Sequence, residues 1–108
     1  MIKHYIFLLV AIVFEVSGTL LLPTSQNFSK ILPTITLVMF YIFSFYFLTL
    51  AIDKIPLTIV YASWSGLGIF TIASFNYFFR QETLTWQAII GLFFIIIGVT
   101  LINGFKEY

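Results

Sequence analysis

Four apolar runs, each long enough to cross a bilayer and separated by linkers of a few residues, leave this chain few folds to choose from. They cover residues 5–22, 31–52, 57–79 and 86–104, and about 20 residues at 1.5 Å rise span the ~30 Å hydrocarbon layer. The linkers, 23–30, 53–56 and 80–85, are so short that consecutive helices are expected to be antiparallel neighbours with no extramembrane domain. The 108 residues are 61% hydrophobic and 8% charged, with a mean hydropathy of +1.10. A soluble core of this size cannot hide so much apolar surface. The expected fold class is an all-α integral membrane protein, a single domain over 1–108 made of four transmembrane helices with short loops.

The breaks between the runs are chemically marked. Pro23 cannot continue the first helix, Pro33 and Pro56 stand where the second and third begin, and Thr85 is an N-cap for the fourth. In the third run, Gly66 and Gly68 mark a place to bend or to be crossed closely. In the fourth, Gly91 and Gly98 are seven residues apart and share one face, a stripe suited to helix contact.

Other classes are excluded by what the chain lacks. It has no cysteine, which removes a disulfide scaffold, a thiolate metal site and a cysteine nucleophile together. Its one histidine, His4, is at the N-terminal end, and no second acid accompanies Glu15 inside the spans, so neither an intramembrane enzyme nor a metal or cofactor site is expected. A net charge of +1 is too small to suggest a nucleic-acid partner. The first run has Lys3 ahead of it in the manner of a secretory signal, but Glu15 interrupts the apolar stretch and no small-x-small cleavage site follows. The run is expected to stay as a span.

Glu15 is the only formally charged residue inside a span. A carboxylate near the centre of a membrane helix costs at least ~2.5 kcal/mol on insertion scales, so by default it marks a functional site. Leu8, Ala11, Gly18, Thr19 and Leu22 lie three, four or seven positions away and share its face. Small and hydroxylated residues there let helices approach closely or leave space beside the carboxyl. The opposite face carries Phe7, Ile12, Phe14 and Leu21. The plainer alternative is a structural glutamic acid held by an interhelical hydrogen bond.

Aromatic and polar residues inside the second and third spans fall on matching faces. Tyr41, Ser44, Phe45 and Leu48 share one, and Tyr61, Trp64 and Gly68 the other, with Ser63 and Ser65 beside them. Interfacial anchoring accounts for Tyr5, Trp86 and Tyr108. Tyr61 and Trp64 lie deeper, where an indole N–H or phenol O–H needs a partner and a ring face can receive a cation. Asn76 is read as making an interhelical hydrogen bond.

The cationic residues are nearly balanced across the membrane. Lys3, Lys54 and Lys106 fall on one side and Lys30 and Arg80 on the other. The positive-inside rule has almost no bias to act on, so the chain can insert both ways. That permits an antiparallel dimer of identical subunits.

Taken together, Glu15 followed by Gly18-Thr19, Tyr41 with Ser44, Ile55-Pro-Leu57, the run Tyr61-Ala-x-Trp-Ser-Gly-Leu-Gly68, Glu82-x-Leu84 and Gly91 through Gly98-Val99 resemble the small multidrug resistance family of bacterial transporters over essentially the whole chain. The resemblance implies an antiparallel dimer in the bacterial inner membrane that exchanges protons for lipophilic or aromatic cations. By that likeness Glu15 of both subunits binds protons and substrate in turn. Tyr41, Tyr61 and Trp64 surround the substrate, with Ser44 and Thr19 near the carboxylates. Gly66 and Gly68 lie at a bend in the third helix, and Gly91 to Gly98 form much of the dimer contact. The sequence Glu15-Val-Ser-Gly-Thr19 looks more like the quaternary-ammonium branch than the guanidinium exporters, which carry a Trp soon after this Glu. One departure is plain: Pro23 stands where the family usually has Lys, which bears on substrate range and on homodimer against heterodimer. The alternatives are one subunit of a heterodimeric small-cation, polyamine or guanidinium-type exporter, an ion channel that uses the same carboxylate, or a structural or regulatory membrane subunit.

Overall fold

The computed structural model describes residues 2–105; the sequence readings at Lys106 and Tyr108 lie outside them. Five helices follow one another: α1 (Ile2–Leu20), α2 (Leu22–Ser25), α3 (Ile31–Ala51), α4 (Leu57–Phe79) and α5 (Trp86–Gly104). Four of them, all but the single turn α2, are long and apolar enough to cross a membrane. The protein is an all-helical, multi-pass membrane protein.

The first span is shifted toward the N-terminus of the expected 5–22. A proline lacks the N–H that the carbonyl four residues upstream would take, so Pro23 acts on the ladder at Thr19 and α1 stops at Leu20. Pro23 then serves in the first turn of α2, where a missing N–H costs nothing. At the other end α1 begins at Ile2, with the buried His4 ring edge-on to Phe7 at 5.8 Å. The start of α5 is capped as its sequence suggests, since Thr85 Oγ1 accepts the Ala88 amide at 3.1 Å.

The close packing pairs are α1 with α3, α1 with α4, and α4 with α5, which sets the helices in the order α3, α1, α4, α5. Here the structure departs from a simple succession of neighbours. Although 53–56 joins α3 to α4 directly, each packs its backbone against α1, because small residues line both contacts: Gly18 of α1 lies against Phe40 and Tyr41 of α3, and Gly68 of α4 lies against Glu15. The core is built from Leu8, Ile12 and Val16 of α1 with Ala51, Ile55 and Val60. On the face opposite Glu15, Ile12 is core and Phe14 stacks on Phe47 of α3 at 6.0 Å. α5 is the least enclosed helix; Val99 is its one buried residue among those described.

Candidate functional site

Glu15 stands on α1 between the two helices that flank it. Thr19, one turn further on, donates its hydroxyl to Glu15 Oε1 at 2.9 Å. Thr19 has only that hydrogen to give, so the 2.7 Å contact between Thr19 Oγ1 and Tyr41 Oη must have the tyrosine as donor. The result is a directed chain from Tyr41 through Thr19 to one carboxyl oxygen. The other oxygen, Oε2, is buried without a hydrogen-bond partner. It faces Gly68 of α4, where an added Cβ would lie 2.7 Å away.

A second chain lies one turn toward the start of α1. Trp64 Nε1 donates to Ser44 Oγ at 3.1 Å, and Ser44, fully buried, donates to the Ala11 carbonyl at 2.7 Å. Ala11 precedes Glu15 by four residues, about 6 Å along the axis. The indole is therefore fixed by its hydrogen bond, with its ring free to pack. Phe45 lies at 5.6 Å and Tyr61 at 5.9 Å from it, centroid to centroid. These rings, with Leu48, Ile52 and Leu57, line a cavity of about 460 Å³. That is within the usual range for small-ligand sites. Tyr61 remains 62% exposed in the single chain, so its outer face is free to meet a ligand or a second subunit.

The glycines divide into three kinds. Gly66 is a close approach between helices, because a Cβ there would stand 2.6 Å from Val99 Cγ2. Gly68 is an approach to the carboxyl itself. Gly91 and Gly98 have nothing within 4 Å of a would-be Cβ, and Gly98 borders an open groove of about 550 Å³ with Ala62, Ser65 and Ile69. α4 is an uninterrupted helix through both Gly66 and Gly68.

The polar residues outside this constellation were harder to read from sequence. Asn76 does not reach another helix; its amide nitrogen lies 3.5 Å from Glu82 Oε2 in the connection after α4. Asn103 does cross between helices, donating to Ser63 Oγ at 2.8 Å. A carboxamide in an otherwise apolar last turn was the available signal. Arg80 reaches the carbonyl of Leu20 at 2.8 Å, closing the end of α1 that Pro23 leaves open. Among the described residues no three His, Asp or Glu come together as a metal site.

Four membrane-length helices, one half-buried carboxyl on the first of them and an aromatic cavity define a small multi-pass membrane protein with a single acid inside its spans. Comparison with known proteins gives the family. The model of the Small Multidrug Resistance protein family matches residues 3–95. Similar proteins include the quaternary ammonium compound-resistance protein QacH of Staphylococcus saprophyticus, 41% identical over 94% of both chains. QacF of Klebsiella aerogenes is 41% identical over 94% of this chain and 92% of its own. The multidrug resistance protein EbrA of Bacillus licheniformis is 38% identical over 95% and 98%. The chain belongs to the Small Multidrug Resistance family, whose members are transporters and not enzymes.

Proposed function

We propose that this protein is a proton-coupled antiporter of the bacterial inner membrane that exports lipophilic, quaternary-ammonium-type cations as an antiparallel dimer. The observation that carries this reading is the Glu15 carboxyl: one oxygen is held by Thr19, and the other is buried and unpartnered against Gly68, one helical turn along α4 from Trp64. A buried acceptor without a donor is costly, and either a proton or a cation satisfies it. The names of QacH and QacF support a quaternary ammonium substrate.

The mechanism follows from competition for that oxygen. A cation held against the aromatic cavity stabilises ionised Glu15, and a proton neutralises it. Each ligand therefore displaces the other, and the two Glu15 groups of a dimer titrate as a coupled unit. A rearrangement of α4 around Gly66 and Gly68 then turns the site to the opposite side, so that protons entering drive the cation out. Thr19, Tyr41 and Ser44 hold the carboxyl and the indole in register while this happens. Gly91 and Gly98, open in the single chain, supply the dimer contact. No metal or nucleotide takes part.

The test is calorimetric. Titrating tetraphenylphosphonium into the purified dimer, in two buffers of different ionisation enthalpy, counts the protons released on binding. We expect release from the unmodified protein and none from Glu15→Gln, which should assemble without binding the cation tightly. Tight, pH-independent binding with no proton release overturns the exchange mechanism. A purified chain that assembles but transports nothing by itself, and gains transport with an unlike chain, favours the heterodimer.

A further inference from the structure

We infer that Gly68 is the seat of the Glu15 carboxyl: the missing side chain on the face of α4 turned to α1 makes the room in which Oε2 lies, and so decides whether that oxygen is available to a cation. The inference rests on the transport reading above and assigns Gly68 a positioning role separate from any part in bending α4.

Three observations carry it. First, the backbone does not require a glycine here, since no glycine among the described residues has a positive φ and α4 passes through the position as regular helix. Second, among the described residues the only heavy atoms within 4 Å of an added Cβ, beyond the helix's own backbone and the chain neighbours, belong to Glu15: Oε2 at 2.7 Å and Cδ at 3.6 Å. A carbon normally approaches an oxygen no closer than about 3.3 Å even in a favourable C–H···O contact, so the methyl group and the carboxyl cannot both occupy these positions. Gly66, two residues away, meets only the apolar Val99 and Ile95. The small size of Gly68 is directed at an ionisable group, that of Gly66 at packing.

Third, retreat of the carboxyl disturbs its setting: Oε1 is tied to Thr19 at 2.9 Å, and Thr19 to Tyr41 at 2.7 Å, while Oε2 has no bond to hold it in place. A methyl at Gly68 therefore swings Oε2 aside, strains the bond from Thr19 or drives α4 away from α1, and in each case displaces the oxygen that a cation would meet.

A point of bending and a seat give different results. The experiment measures tetraphenylphosphonium affinity and proton release at equilibrium, and turnover in liposomes, with the full-length dimer. Gly68→Ala is expected to weaken affinity at least tenfold, whereas a residue that only bends would leave affinity within twofold and slow turnover alone. The latter result overturns the inference. Glu15→Asp, which withdraws the carboxyl by one methylene, supplies the second arm. Its cost should be smaller in the Gly68→Ala background than in the native chain, because the shorter acid clears the methyl; additive costs overturn the inference. If Gly68→Ala fails to assemble, Glu15→Ala in the same chain should restore assembly, and continued failure counts against the seat. Gly104→Ala, with nothing within 4 Å, serves as the control expected to bind normally. Failure of the antiport reading is seen separately, as absent proton release in the unmodified protein, with the affinity comparisons still deciding the role of Gly68.

Discussion

The indole of Trp64 begins a chain of two hydrogen bonds that joins three helices, because its acceptor Ser44 donates in turn to the Ala11 carbonyl. Removing the ring by Trp64→Ala should weaken binding of an aromatic cation by about 1–2 kcal/mol, roughly five- to thirtyfold, the range for a desolvated cation–π contact. Calorimetry on a correctly assembled variant checks this, and unchanged affinity reassigns Trp64 to packing. Glu15 was legible from the sequence because a lone carboxylate in a span is costly, and Thr19 because four residues is one helical turn. The pairing of Thr19 with Tyr41, and of Ser44 with Ala11 and Trp64, was not. Spacing put Tyr41 and Ser44 on one face, but which neighbour each meets depends on how α3 is rotated and shifted against α1. The unoccupied oxygen has a consequence for pH as well. Under the proposed exchange, in which the cation binds ionised Glu15, cation affinity should fall as pH drops through the titration of the coupled pair, approaching tenfold per pH unit for each proton displaced. An affinity flat across that range would remove Glu15 from the exchange.

At the scale of the elements, hydropathy revealed the number and approximate extent of the spans, because the requirement to cross a ~30 Å layer overrides local propensity. It did not reveal the end of α1, where a proline acts four residues before its own position. There Arg80 provides a donor to Leu20 from another connection, bringing a cation to the carbonyl end of α1, where the helix dipole favours it. Pro23→Lys restores both an amide N–H and a charge. It should alter substrate preference or pH response without unfolding the protein, as measured by transport of a cation panel at several pH values; no change in either makes the proline incidental. The α4–α5 contact is tighter than sequence could show. Gly66→Ala places a carbon 2.6 Å from Val99 Cγ2 and should destabilise the packed helices by about 1–3 kcal/mol, as overpacking does. Thermal unfolding followed by circular dichroism checks this, and Val99→Ala in the same chain should recover most of the loss. A Gly66→Ala protein as stable as the native one would show that α5 moves aside freely.

The described residues extend 44 × 34 × 17 Å along their principal axes. Within one chain α3 and α4 flank α1 without closing over Glu15, which is only partly buried. The exposed apolar residues of α5, among them Phe93, Phe94 and Ile97, suit lipid equally well, so burial alone does not name what covers the open side. Charge supplies the further argument. Among the described residues Lys3 and Lys54 stand at one end of the helices and Lys30 and Arg80 at the other, a split too even to fix an orientation. A chain inserted both ways can meet its own copy head to tail, bringing two Glu15 groups into one site. We therefore expect reporters fused to the C-terminus, one active only inside the cell and one only outside, both to give signal. Shifting the balance should shift the signal: adding lysines next to Lys3 and Lys54 should bias insertion toward one side and reduce transport in proportion to the loss of oppositely inserted partner. Co-expression with a chain biased the other way should restore it. If the unmodified chain reports from a single side, the antiparallel homodimer fails, and an unlike partner inserted in the opposite sense is required to complete the site.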